Sequence, residues 1–334
     1  MRIHEHYSLL QHNTFRIAAS ARWFAEYDSV ADLQELLNDG LLKEHSFFHI
    51  GAGSNILFTG DYPGVILHSA IRFIEMRGET EEEVFIRTGA GVAWDDVVAY
   101  AVENGWGGME NLSWIPGEVG ASAVQNIGAY GAEVCQVIDR VETVDTTNGN
   151  IRVFAPEECR YGYRSSIFKN ELKGRYIVTA VCYRLRKVPV FNLSYGRLDQ
   201  VVRHPVTLES VRQAVIAVRR EKLPDPSVTG NAGSFFLNPV IPETRFRELQ
   251  TAWPDMPWYA AGPGQVKIPA AWLIENAGWK GKSYRGAAVH DKQPLVLINK
   301  NGAMPADIVE LAQQVVYAVR EKFGIGITPE VNYI

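Results

Sequence analysis

The chain has 334 residues, 46% of them hydrophobic and 21% charged, with 33 Lys+Arg against 38 Asp+Glu and a formal net charge of −5. That is the composition of a soluble globular protein, long enough for two or three domains of roughly 100–200 residues each. Scattered basic residues exclude a nucleic-acid footprint, no window approaches the roughly 18–20 apolar residues of a membrane helix, and the opening MRIHEHYSLLQHNTF is too polar for a signal peptide.

The first predicted element is a helix over 30–38, VADLQELLN, stopped by Gly40. Phe47 to Ile50 reads as a strand that runs into the turn Gly51-Ala52-Gly53, and 56–58 and 65–67 are further short strand-type runs. A second α/β unit begins near residue 70. In it Val84 to Arg87 is strand-like, and Gly89-Ala90-Gly91 opens a helix from about Trp94 to Asn104, with Trp94, Val98 and Ala101 on one face. The runs 141–144 and 176–185 alternate as strands do. Beyond about residue 218, PAAWLIEN (269–276) predicts a helix with proline at its start and Gly278 past its end. A buried strand follows at 295–298. The clearest helix is 305–323, with Ile308, Ala312, Val315 and Val319 on one face and Gly324 as its stop. The mixture predicts an α+β or mixed α/β architecture.

Three cysteines, Cys135, Cys159 and Cys182, show no CxxC spacing, which predicts a reducing, cytoplasmic setting. The eight histidines form no HExxH and no Cys/His cluster, so no zinc site is expected.

Two glycine-rich segments invite a nucleotide reading. Gly51-Ala52-Gly53-Ser54-Asn55-Ile56 fails the dinucleotide fingerprint, because isoleucine stands where the third glycine belongs and a strand, not a helix, follows. Alone it reads as an ordinary tight turn. Residues 108–131 read as a long loop with glycine at 108, 117, 120, 128 and 131, no lysine or arginine, and the polar residues Asn111, Ser113, Ser122, Gln125 and Asn126. Glycines let a backbone approach a ligand, and successive N–H groups can hold an anion without a cationic side chain. Two such loops suit a pyrophosphate held between them. Gly281-Lys282-Ser283 imitates the end of a P-loop, but Asn276 occupies the position of that motif's first glycine.

The segments GAGSNILF, IPGEVGASAVQNIGAYG, CRYGYRSSIF, EKLPDP and GNAGSFFLNP follow one another in order. Together they resemble the UDP-N-acetylenolpyruvoylglucosamine reductase family, over a span from about residue 13 to the C-terminus. Leu193-Ser194-Tyr195-Gly196-Arg197-Leu198 is similar to the tyrosine loop of the family's first type.

The resemblance implies a vanillyl-alcohol-oxidase-like (PCMH-type) two-part FAD-binding fold, residues 1–70 and 71–218, and a C-terminal α/β substrate-binding domain, 219–334, whose last strand could return to the FAD half. It implies non-covalent FAD, NADPH as reductant and UDP-N-acetylglucosamine enolpyruvate as substrate. The expected product is UDP-N-acetylmuramate for the cell wall, and the expected state is a monomer. Ser234 would donate the proton, with Arg164 and Glu330 at the substrate carboxylate. Tyr130, Tyr195, Lys222, Asn238 and Gln293 would line the substrate site. Gly51, Ala52, Gly53, Ser54, Asn55, Gly117, Gly120, Ala121, Ser122, Asn126 and Gly128 would face FAD. Ala123 and Asn332 depart from the family pattern. Without the resemblance each of these residues has a plainer reading: Ser234 as a turn serine, Glu330 as a solvated acid, Arg164 as a surface stacker. A different FAD oxidase or dehydrogenase of the same fold, and a non-catalytic nucleotide-sugar binder, remain as alternatives.

Overall fold

The computed structural model describes Met1–Ile334 and divides into two compact units. The first comprises Met1–Tyr7, Ala21–Ala52 and Tyr62–Glu221, and the second Ser8–Ser20, Gly53–Asp61 and Lys222–Ile334.

The first unit carries two sheets. In one, the strands Arg2–Ser8, Ser20–Tyr27, Tyr62–Ser69 and Phe47–Ile50 lie side by side in that order. Tyr62–Ser69 runs parallel to both neighbours, and each parallel step needs a crossover. Part of that crossover is the predicted helix Val30–Asn38, capped by the Ser29 side chain accepting from the Asp32 N–H and burying Leu33, Leu36 and Leu37. The register sets Glu26 beside His68, and His68 beside Ile50, the last residue before the first glycine turn.

The other sheet is antiparallel throughout, in the order Ile151–Phe154, Ile138–Asp145, Tyr176–Arg186, Glu83–Gly89, Ile74–Glu79. Helix Trp94–Glu103 buries Trp94, Val97, Val98, Ala101 and Val102 in this unit's core. The 108–131 stretch, expected as a loop, contains a short helix, Val119–Gln125. Its small residues allow close packing: a Cβ on Gly120 would stand 3.0 Å from that of Ala90. Helix Leu208–Lys222 also belongs mainly to this unit and buries Val211, Val215 and Val218.

The second unit is built around the predicted helix Pro305–Phe323, with proline in its first turn and Gly324 at φ 64° beyond its end. Ile308, Leu311, Ala312, Val315, Val319 and Phe323 join Phe235, Phe236, Leu273 and Leu297 in one core. An antiparallel sheet runs Gly230–Ser234, Val296–Asn299, Ala287–Val289, Ser283–Tyr284. The C-terminal strand Asn332–Tyr333 pairs in parallel with Ile56–Leu57, and both fall within this unit. The segment imitating a P-loop is a turn leading into a strand, with no helix behind it.

Candidate functional site

The strand Phe47–Ile50 ends at Gly51, whose missing side chain leaves room for the second glycine segment. A Cβ there would sit 3.1 Å from a Glu118 carboxylate oxygen and 3.3 Å from the Ala121 methyl. Gly53 has φ +67°, and a Cβ on it would lie 2.0 Å from the His12 carbonyl oxygen, so this turn can form only with glycine. In the other segment Gly117 takes φ 133°, the Gly120 N–H donates to the Ala90 carbonyl at 2.9 Å, and the Val119 N–H donates to that of Val92 at 3.0 Å. These glycines make room for the chain's own packing, and with no cationic side chain between residues 108 and 131 any flavin phosphate there would meet backbone.

Two expected flavin residues use their side chains inside the protein. Ser122 Oγ donates to the Val119 carbonyl at 2.7 Å. Asn126, left-handed at φ 48°, donates to Glu133 and to the Gly162 carbonyl, each at 2.9 Å, and accepts from the Cys135 N–H. Ala123 is fully buried in the helix of the same segment.

Arg164 sits in the Gly162–Ser165 turn at φ 53°. Its guanidinium donates to the carbonyls of Asn126 and Gly128. Two acceptors from one segment fix the plane and position of the charge. Tyr130 meets Tyr195 edge to face, with ring centroids 6.2 Å apart. Burial raises the Tyr130 hydroxyl pKa, against the lowering effect of the Arg219 charge. The tyrosine loop is tied down by Asn111, whose amide donates to the carbonyls of Tyr130 and Asn192, both at 2.8 Å.

Arg219 was not among the sequence candidates. It lies in the last turn of Leu208–Lys222 and donates to the Trp114 carbonyl at 3.0 Å. Burial, and to a smaller degree the charge on Arg164, pull its pKa down, while Tyr130 and Asp95 oppose this. Asp95 is itself bound by Arg212 through both oxygens, at 2.7 and 2.9 Å. Arg219 therefore adds a second guanidinium near Tyr130 and Arg164, which suits an anionic ligand.

In the second unit, Ser234 ends the strand Gly230–Ser234 and is exposed, while Phe235 and Phe236 behind it are buried. Gly233 takes φ 68°, and its N–H donates to Asn231 Oδ1 at 2.9 Å. The C-terminal segment runs antiparallel beside this stretch. Leu237 N–H donates to the Thr328 carbonyl, Phe236 bridges Pro329, and Glu330 N–H donates to the Phe235 carbonyl at 2.8 Å. Asn55 and Asn332 join this ladder: the Asn55 amide donates to the Glu330 carbonyl at 3.4 Å, and the Asn332 amide donates to the Asn55 carbonyl at 3.2 Å.

The remaining candidates are spread through the chain. Asn238 accepts from the Ala270 N–H at 2.9 Å and so fastens the start of helix Ala270–Asn276. Gln293 is half-buried, with its backbone N–H donating to His290 Nδ1. Lys222 is exposed at the end of its helix.

Residues 21–155 match the family model described as FAD binding domain, and residues 225–334 match UDP-N-acetylenolpyruvoylglucosamine reductase, C-terminal domain. A UDP-N-acetylenolpyruvoylglucosamine reductase of Bacteroides fragilis is 52% identical over 330 residues, covering 98% of this chain and 99% of that protein. One of Porphyromonas gingivalis is 46% identical over 337 residues, covering all of both chains. The crystal structure of the reductase from Thermus caldophilus superposes with a TM-score of 0.71 at 22% identity, covering 100% of this chain and 99% of that one, which establishes the fold. The failed dinucleotide fingerprint agrees with this vanillyl-alcohol-oxidase-like architecture. Full-length similarity at about half the positions, with both parts matched in order, leaves one assignment: this chain belongs to the UDP-N-acetylenolpyruvoylglucosamine reductase family.

Proposed function

We propose that Ser234, Arg164 and Glu330 carry the chemistry of this FAD-dependent oxidoreductase, which reduces the enolpyruvyl group of UDP-N-acetylglucosamine enolpyruvate in peptidoglycan precursor synthesis. NADPH is the reductant in this reading, and the enzyme works as a cytoplasmic monomer; no helix is long and apolar enough to cross a membrane. Residues 1–70 and 71–218 form the two lobes of the flavin half and 219–334 the substrate domain. The separate sheets within the first unit support the edge near residue 70, and the matched stretches 21–155 and 225–334 the edge near 218, while Ser8–Ser20 and Gly53–Asp61 pack with the second compact unit.

The two glycine segments would hold FAD, which would supply the hydride, drawn from NADPH, for the terminal vinyl carbon of the substrate. The residues of the chain must do the rest. Hydride addition beside a conjugated carboxylate builds negative charge on that carboxylate, and the adjacent carbon then needs a proton. Arg164 supplies a fixed positive charge for the first requirement, because two backbone acceptors hold its guanidinium in place. Glu330 shares the carboxylate, and it can do so only with a proton between the two acids. The Ser234 hydroxyl donates the proton to carbon from the exposed end of its strand, which Phe235 and Phe236 anchor in the core behind it. Tyr195 and Lys222 hold the diphosphate in this reading, Asn238 and Gln293 bind the substrate as well, and Tyr130 lines the site. Arg219 adds charge on the anionic side.

The observation that carries this reading is the pairing of Phe235–Leu237, the residues directly after Ser234, with the Thr328–Glu330 segment. Its test is consumption of NADPH by the purified protein with and without the enolpyruvyl sugar nucleotide. Oxidation that needs the sugar nucleotide and yields the lactyl ether supports it. Rapid oxidation by oxygen that ignores the sugar nucleotide would point instead to an oxidase of the same fold.

A further inference from the structure

The second glycine segment contains an acid. Glu118 stands between Gly117 and Val119, is only 8% exposed, and braces Gly51 of the first glycine turn. A bare carboxylate inside an anion-holding segment would repel the phosphates it should serve.

The structure answers that conflict with a buried histidine. His68, 4% exposed on the central strand Tyr62–Ser69, places Nε2 3.0 Å from Glu118 Oε1 and Nδ1 2.9 Å from Glu26 Oε2. Both ring nitrogens face carboxylate oxygens, an arrangement that an imidazolium satisfies by donating from both nitrogens. We propose that His68 is a positioning residue for FAD: its charge neutralises Glu118 and holds that carboxylate back, so that the two glycine segments present backbone rather than negative charge to the pyrophosphate. This rests on the reading that these segments hold FAD.

The groups around His68 agree. Burial lowers its pKa, but the hydrogen bonds and charges of Glu118 and then Glu26 outweigh burial, and the net shift is upward. Glu26 also feels the charges of Arg2 and Arg72. His49, on the neighbouring strand, is buried and pushed down to about 3, so it stays neutral beside His68 and bonds Tyr27. His68 is therefore the buried imidazole of this group that carries charge near neutral pH. A bound pyrophosphate raises its proton affinity further, so FAD binding takes up protons at alkaline pH. FAD affinity is full below the raised His68 value and falls as pH rises through it.

The test is FAD release from the full-length holoenzyme, followed by flavin fluorescence from about pH 6 to pH 9. Melting temperature is recorded alongside for the parent and for H68Q, E118Q and H68Q/E118Q. H68Q leaves Glu118 uncompensated and should weaken FAD binding about tenfold at neutral pH. The double variant removes that charge and should recover affinity to within about threefold of the parent. E118Q should bind FAD with the alkaline fall abolished, and this arm decides the matter even if H68Q does not fold. A folded H68Q that holds FAD like the parent overturns the proposal. So does a double variant no better than H68Q, or an E118Q that keeps the alkaline fall. A parent that retains no FAD at any pH would instead sink the reading of the glycine segments, and this inference with it.

Discussion

The backbone N–H of Glu330 donates to the carbonyl of Phe235 at 2.8 Å, one residue after Ser234. The C-terminal segment is thus laid antiparallel along the GNAGSFF strand, and the last five residues of the chain help hold a proposed acid beside a proposed proton donor. Asn55 and Asn332 extend the same ladder.

Replacing Ser234 with alanine should leave flavin reduction by NADPH within about twofold, while flavin reoxidation by the enolpyruvyl substrate slows roughly 10²–10⁴-fold. Rapid-mixing absorbance, one half-reaction at a time, makes the comparison. A defect in the first half-reaction instead would give Ser234 another role.

Arg164→Met should slow the second half-reaction roughly 10²–10³-fold through loss of a fixed donor to the developing negative charge. Because the same guanidinium bonds the Asn126 and Gly128 carbonyls, melting temperature should drop as well. Arg164→Lys keeps the charge but not the two-acceptor geometry and should recover only part of the rate. Less than about a tenfold loss in the methionine variant would remove Arg164 from the catalytic set.

Gly53→Ala places a methyl where the His12 carbonyl oxygen already stands and forces a non-glycine residue to φ +67°. A destabilisation of about 1–3 kcal/mol is expected, measured by denaturant unfolding, together with weaker flavin retention. Unchanged stability would show that the turn can be rebuilt without cost.

His49 gives the fold an acid sensitivity of its own. Burial pushes its pKa from 6.5 down to about 3, and it bonds the Tyr27 hydroxyl at 2.7 Å. Burial holds the Tyr27 pKa far above its usual value, so the phenol stays protonated and donates to the neutral ring. The unfolded chain binds this proton more readily than the folded one. The contribution is therefore complete above pH 6.5 and is lost as pH falls toward about 3. A His49→Gln variant should show a shallower fall of stability across that window by denaturant titration. A slope equal to the parent's would contradict the assignment.

Much of this architecture is legible from pattern alone where start, face and stop agree. Helix 305–323 has proline at its start, a continuous apolar face and glycine at its end, and it forms over those residues. Helix Leu208–Lys222 escapes such a reading although Leu208, Val211, Val215 and Val218 form a continuous stripe, because no glycine closes it; Arg219 escapes with it. The 108–131 stretch misleads in the opposite direction. Its small residues read as loop, yet Gly120 is small so that a helix can pack against Ala90. Within the site, motif order points to Ser234 and Glu330, but no spacing rule could show that Glu330 bonds the backbone of Phe235, the residue next to Ser234. The inward turn of Ser122 and Asn126 and the bracing of Gly51 by Glu118 are likewise products of tertiary packing.

The most direct measurement is the visible flavin spectrum of the purified protein under anaerobic conditions, taken first with NADPH and then after the enolpyruvyl sugar nucleotide is added. NADPH should bleach the flavin band, and one equivalent of the sugar nucleotide should restore it. A flavin that stays bleached with that substrate, while oxygen alone restores it quickly, would contradict the account.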